Sequence, residues 1–258
     1  MVSHHDKLPI SAVLITKDAE LHLDRVLGSL SACSEIVVLD SGSRDGTRGI
    51  AERHGVVWYE HPFDGYGSQK RRAVTLARHE WVLSVDGDEV LDDRGIEALT
   101  AVDWDAEDPQ TCWEIRRRPF IGEREIRHGD WAPDHVVRVF NRKYHSFSAV
   151  LVHESVRPTG RVRRLNGSLL HFTSADLAGI FRADYYRLKA EMYRRNGRRA
   201  GLLLLAARAA GVFLRGYLLR LGFLDGTAGL VVALAGAVNS SVGLALASDE
   251  PPDYGETG

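Results

Sequence analysis

The feature that most constrains this chain is an alternation before residue 90. Ile10-Ser-Ala-Val-Leu-Ile-Thr16, Glu35-Ile-Val-Val-Leu-Asp40, Val56-Val-Trp-Tyr-Glu60 and Trp81-Val-Leu-Ser-Val-Asp86 are short, apolar and rich in β-formers. Between them lie segments with helical spacing: Leu21, Leu23, Val26, Leu27 and Leu30, then Ile50 to His54, then Ser68 to Arg78. Strand and helix repeated in this way predict an α/β fold with a parallel, doubly wound sheet. The fourth run is continuous rather than alternating, as a strand buried on both faces reads.

In such sheets ligands bind beyond the carboxyl ends of the strands. Asp40 and Asp86 both end strands, so both are expected at that edge. Val85-Asp-Gly-Asp-Glu89 adds a second carboxylate, Asp88, after a glycine that permits close backbone approach. Two carboxylates there suit a divalent cation gripping phosphate. Taken alone, Asp-x-Asp also suits a solvated acidic turn, so its companions must decide. No glycine-rich dinucleotide fingerprint follows the first strand, and no Walker loop is present. A nucleotide must then be held through carboxylates and a metal. Asp18 is a candidate cap for the first helix, and Ser43 or Asp45 for the second.

From Cys112 the texture changes. Cys112 to Arg116, Val136 to Phe140, Val150 to Glu154 and Ser168 to Phe172 read as strands, and His128 to Asp134 as a loop. A mixed sheet with an antiparallel part fits this half. Its side chains best suited to chemistry are His153, Glu154 and His171. From Ser174 the chain turns helical, with Leu177, Ile180, Phe181, Tyr185 and Leu188 on one face. A basic block follows, from Arg182 through Arg199, and Leu202 to Leu224 carries Arg208, Arg215 and Arg220 among leucines. Such basic amphipathic helices predict contact with an anionic membrane surface, the alternative being a helix packed on the core with a solvated basic face. Thr227 to Ala247 has no charge and is long enough to span a bilayer. Its Gly and Ala content and Asn239, Ser240 and Ser241 favour a hairpin lying on the membrane or on the rest of the protein.

The 258 residues carry a net charge of −2, which exerts no global pull toward nucleic acid. Cys33 and Cys112 lack metal or redox spacing and read as buried free thiols. No apolar leader core precedes the first strand, so a cytoplasmic location is expected.

Together, Val13 to Glu20, Ile36 to Thr47, Gln69-Lys-Arg-Arg-Ala73 and Val85 to Glu89 resemble family 2 glycosyltransferases. Gly129 to Phe140, Val152-His-Glu154, Leu170-His-Phe172 and Arg220 to Gly226 resemble, more narrowly, the bacterial lipopolysaccharide core glucosyltransferases. The resemblance runs from about residue 9 to about 245. It implies a GT-A fold, a nucleotide-sugar donor such as a UDP-hexose, a glycan or glycolipid acceptor, inverting transfer and Mg2+ or Mn2+. It also implies nucleotide contacts by Thr16, Asp18 and Asp40, with Asp86 on the nucleotide side and Asp88 as metal ligand. The usual glutamate of the first motif is replaced by Ala19, which leaves its contact to Glu20. The processive Gln-x-x-Arg-Trp signature is missing, which favours transfer of a single sugar.

Inverting transfer requires a base for the acceptor hydroxyl. Glu154 is the first candidate and Asp134 the second. His171 is either a further metal ligand, a phosphate contact or a satisfied core histidine. Lys70 and Arg71 can reach the diphosphate, or else form a solvated helix face. Arg138 and Arg142 can pair with acidic acceptor groups. The expected organisation is a catalytic domain over 1–172, a helical appendage over 173–247 that places the enzyme at the inner face of the cytoplasmic membrane, and a disordered tail over 248–258. A sugar nucleotidyltransferase and a non-catalytic binding module remain as other readings.

Overall fold

A computed structural model describes residues 7–148, 155–181 and 183–249. The chain forms two compact units, one of residues 1–120 and 134–173, the other of residues 121–133 and 174–258. In chain order the elements are β1 (Leu8–Thr16), α1 (Glu20–Ser29), β2 (Cys33–Asp40), α2 (Thr47–Arg53), β3 (Val57–Glu60), α3 (Tyr66–Leu76), β4 (Trp81–Asp86), β5 (Glu89–Leu91) and α4 (Asp93–Thr100). They continue with β6 (Cys112–Ile121), the short β7 (Arg124–Glu125), β8 (Asp134–Asn141), β9 (Val162–Ser174), α5 (Ala183–Arg195), α6 (Leu202–Leu214) and α7 (Gly226–Asp249).

In the first unit the sheet runs β3-β2-β1-β4-β8-β6-β9-β5. The first four strands are parallel, with Thr16 opposite Asp40 and Ile15 opposite Asp86. β8 joins β4 antiparallel, β6 pairs antiparallel with β8, and β5 with β9. The sheet is therefore mixed, as the change of texture after Cys112 predicts. β1 is mostly apolar because both its faces are covered. Ile10, Ala12 and Leu14 pack with Leu23, Val26 and Leu27 of α1, while Val13 packs with Ala73 and Val74 of α3. Leu21, placed on the apolar stripe of α1 by spacing alone, is 67% exposed, because the stripe that meets the sheet is Leu23, Val26, Leu27 and Leu30.

The caps differ from expectation in part: Asp45 does accept from Thr47 N at the start of α2, at 3.0 Å, but not from the N-cap position itself. Ala19 and Gly46 occupy the N-cap positions of α1 and α2, and neither supplies a side chain. Asp18 adopts φ 48°, a conformation aspartate tolerates better than most residues. Its carboxylate reaches the Arg44 N–H at 2.8 Å instead of its own helix. By contrast, Asp92 caps α4 by accepting from Gly95 N at 2.8 Å, and also accepts from Ser168 N at the same distance.

In the second unit α7 packs along α5 and α6. It does so with small residues, Ala228, Gly229, Ala235, Ala237, Gly243 and Ala247 among them. A Cβ at Gly229 would lie 1.8 Å from the Gly222 carbonyl oxygen, so backbone meets backbone there. Asp225 accepts from the N–H groups of Arg127 and His128 and pairs with His128 Nδ1 at 3.1 Å, and Asp130 pairs with Arg215 at 2.9 Å and Arg220 at 3.4 Å. Residues 121–133, expected within the 1–172 catalytic domain with a loop from His128 to Asp134, thus group with the helices. Arg215 and Arg220, counted above in the basic face, are ion-paired. Ser248 and Asp249, expected in the tail, end α7. Two helical stretches, Leu202–Leu219 and Gly222–Asp249, are long and apolar enough to cross a membrane by length and composition.

Candidate active site

The carboxyl ends of β1, β2 and β4 lie side by side, and the loops that leave them are tied into one another. Asp40 is 1% exposed. Its carboxylate accepts from Thr16 Oγ1 (2.8 Å), Ser43 Oγ (2.5 Å), Gly42 N (2.7 Å) and Ser43 N (2.7 Å). Four donors on one carboxylate make Asp40 the organiser of the Ser41–Asp45 loop. Asp18 N donates to Ser43 Oγ, Ala19 N to Thr47 Oγ1 and Glu20 N to Asp45 Oδ2. The Glu20 carboxylate accepts from Gly46 N at 2.7 Å, so Glu20 makes a loop contact where Ala19 cannot. Gln69, fully buried on α3, donates to Ser41 Oγ and to the His61 carbonyl, both at 2.9 Å.

Beside this frame, Asp86 sits between two cations. Lys70 Nζ lies 2.7 Å from Oδ1 and Arg138 2.9 Å from Oδ2. Burial opposes the charge of Asp86, yet Lys70 and Arg138 outweigh it and hold the carboxyl far below the usual carboxylate range. Lys70 is 6% exposed, which sets aside the solvated-face reading; Arg71 is the exposed neighbour. Glu89, with no exposed surface, extends the network. It accepts from Arg138 at 2.5 Å and from the Asp86 N–H at 3.1 Å, and lies 3.6 Å from Arg117. Arg117 in turn donates to Asp134 Oδ2 at 2.6 and 2.8 Å. Three cations and three carboxylates therefore alternate from Lys70 to Asp134.

Two assignments change in consequence. Arg138 is 4% exposed and committed to Asp86 and Glu89, so it does not serve acidic acceptor groups. Arg142 follows the end of β8 that pairs with the start of β4, where Asn141 stands opposite Trp81. That is five strand residues, roughly 16 Å, from Asp86. Arg142 donates there to the His79 carbonyl and is not part of the site.

Asp88 points away from the buried pairs. Its side chain is 40% exposed, and Oδ2 lies 3.4 Å from His171 Nε2. β9 brings His171 there by pairing it with Glu89, and Phe172 N donates to the Asp88 carbonyl at 2.9 Å. Burial works against a charged His171, but Asp88 and then Glu89 reverse this and raise its pKa above the ordinary value. One carboxylate oxygen and one imidazole nitrogen, adjacent and partly open, suit a hard cation that completes its shell with phosphate oxygens and water. Among the described residues no three His, Cys, Asp or Glu side chains form a closed metal cage. The donor set thus fits a substrate-completed divalent ion rather than a structural one. Asp134 is occupied by Arg117. His153 and Glu154, including the first candidate for the base, lie outside the described residues.

Glu89 and Arg117 are the members that sequence reading missed. For Arg117 a signal existed, since two-residue alternation in β6 puts it on the face of the buried Trp113 and Ile115. Glu89 followed the carboxylates directly, but nothing in the pattern distinguished full burial from a solvated turn.

A mixed α/β sheet with an Asp-x-Asp at the edge of its parallel half, followed by helices, has the architecture of a GT-A glycosyltransferase. Residues 11–188 match "Glycosyl transferase family 2". The chain is 31% identical over 246 residues to the lipopolysaccharide core biosynthesis glycosyltransferase LpsC of Rhizobium meliloti (strain 1021), covering 90% of this chain and 89% of that protein. It is 26% identical over 238 residues to an uncharacterized glycosyltransferase of Rickettsia bellii (strain RML369-C), covering 86% and 80%. TarS 1-349 of S. aureus superposes with a TM-score of 0.44 at 15% identity, over 70% of this chain and 63% of that one. The chain belongs to glycosyl transferase family 2. It is a glycosyltransferase with a relative in lipopolysaccharide core biosynthesis, and the nucleotidyltransferase and non-catalytic readings give way to that membership.

Proposed function

We propose that the protein transfers one hexose, such as glucose, from a UDP-sugar to a lipopolysaccharide-core or other envelope glycan, with inversion and with Mg2+ or Mn2+ at Asp88 and His171. The observation that carries this reading is the partly open Asp88–His171 pair beside a buried, charge-balanced Asp86. A divalent ion held there would supply positive charge to the departing diphosphate. The chain's own residues do the rest. Lys70 and Arg138 keep Asp86 ionised and fixed, with lone pairs left for a nucleotide hydroxyl. The loops built around Asp40 and Asp18 present backbone and hydroxyl groups to the nucleotide. Glu154 removes the acceptor proton, a role favoured over Asp134 because Arg117 occupies the Asp134 carboxylate.

The test is donor turnover and transfer with purified enzyme over UDP-, GDP-, ADP- and TDP-sugars with Mn2+. Glu154→Gln is expected to abolish transfer while donor binding, read by thermal shift, persists. A Glu154→Gln enzyme that transfers at the parental rate would remove Glu154 from the mechanism. Exposed leucines on α6 and arginines over 194–199 support peripheral attachment to the anionic inner face of the cytoplasmic membrane. Failure to float with anionic liposomes at low salt would contradict that attachment.

A further inference from the structure

Within the helical unit one cationic pair has no role in the site described above. Lys189 on α5 is 8% exposed, and its Nζ donates to the Asn239 carbonyl at 3.1 Å. Arg208 on α6 donates through Nε to the next carbonyl along α7, that of Ser240, at 2.8 Å. Two cations from different helices therefore converge on adjacent peptide groups of a third. Among the described residues neither is ion-paired with a carboxylate. Lys189 is buried with a neutral hydrogen-bond acceptor, although buried charge is ordinarily paired, and its Nζ lies 5.4 Å over the Tyr185 ring, while Arg208 stands on the exposed side of α6. Burial, and then the charge of Arg208, lower the pKa of Lys189. The arrangement is built in. A Cβ at Gly243 of α7 would lie 2.8 Å from Lys189 Cβ and 3.4 Å from the Tyr186 carbonyl oxygen, so only glycine lets α5 approach this closely. Tyr186, one turn before Lys189, has a buried hydroxyl with no partner among the described residues. Leu204, one turn before Arg208 on α6, is 58% exposed, and Leu202 and Leu203 are 81% and 87% exposed.

We propose that Lys189 and Arg208 form a phosphate-binding site that takes the headgroup phosphate of a membrane lipid, with the lipid's apolar part along the exposed leucines of α6. Guanidinium and ammonium together supply several unused N–H donors and the positive charge that a phosphate requires. The leucines explain why the phosphate should belong to a lipid, since a free anion gives them no cover. This deepens the membrane attachment proposed above by replacing a diffuse basic surface with a defined site. It is independent of the sugar-transfer chemistry.

The test uses the full chain and sedimentation with equimolar phosphatidylcholine–phosphatidylglycerol vesicles. Lys189→Gln with Arg208→Gln is expected to weaken vesicle binding by about tenfold or more, and by more than Arg198→Gln with Arg199→Gln, an exposed pair of equal charge. Lys189→Arg should retain binding. It also guards against misfolding as the cause, together with a thermal melt of each variant. Transfer to a soluble acceptor should be unchanged in all of them. Equal losses from the two double variants would overturn the site in favour of a diffuse basic surface, while leaving membrane attachment intact. Inorganic phosphate that raises the melting temperature of the parent without any vesicle binding would overturn the lipid assignment. No response of the Lys189 and Arg208 variants in either assay would overturn the site itself.

Discussion

Glu89 has no exposed surface, yet it touches the Asp86 backbone, Arg138 and Arg117. Neutralising it takes one carboxylate from each of two guanidinium groups, which keep Asp86 and Asp134, so Glu89→Gln is expected to cost about 1–3 kcal/mol in urea denaturation, the usual range for a buried charge-assisted hydrogen bond. An unchanged midpoint would show that the network has no structural weight. Asp88, only one position away from both Glu89 and Gly87, behaves oppositely in this account. It is half-exposed and touches a single ionisable neighbour, so Asp88→Asn should leave stability within about 0.5 kcal/mol of the parent. The two carboxylates of the Asp-x-Asp were legible from sequence because Asp86 ends a strand and Asp88 follows it across one glycine. The division of labour between them was not, since it depends on Lys70 and Arg138 arriving from α3 and β8. Asp134 and Arg138 were legible as site residues but not in role, and Arg142 failed because the direction of β8 reverses which end of the strand faces the ligand.

At the scale of elements, the joint between α4 and β9 shows what short-range patterns cannot reveal. Asp92 caps α4 and also holds Ser168 N, while Gly167, at φ 147°, places its α-carbon against Gly95, where a Cβ would be 2.3 Å from the Gly95 nitrogen. Gly167→Ala is expected to destabilise by about 1–3 kcal/mol through overpacking, and Asp92→Ala by about 1–2 kcal/mol through loss of the cap. A melting temperature unchanged in either variant would contradict this packing. The same joint anchors β9, which carries His171 to Asp88. The parallel strands and their helices were readable from periodicity. Asp45, read as a candidate for α2, does accept from Thr47 N at its start, whereas Asp18 turns to Arg44 N and the first N–H groups of α1 are met by Thr47 and Asp45 from the other loop.

Across the molecule, the sequence predicted strands, helices and their order well because hydrophobic period reports which faces are buried. It did not reveal that residues 121–133 join the helical unit, a grouping created by Asp130 meeting Arg215 and by His128 meeting Asp225, 85 and 97 residues apart in the chain. Cys33 and Cys112 offer a reporter for the sheet-bearing unit. Burial pushes the Cys33 thiol up to about 12 and the Cys112 thiol up to about 11 from 9.0, and both residues are buried. The folded state therefore favours protonated thiols. Their stabilising contribution is complete below pH 9 and is lost as pH rises toward those values. Thiol labelling at pH 8 should be slow in native protein and fast in urea, and rapid native labelling would contradict the packing.

The central claim is that Asp88 and His171 hold a divalent ion on which sugar transfer depends. Its most direct measurement is initial transfer rate against Mn2+ concentration after exhaustive chelation, for the parent, Asp88→Asn and His171→Ala. No activity is expected without metal, with recovery of the parent on titration, and with variants that stay folded but need far more metal or never recover. Full activity in the chelated parent would contradict it.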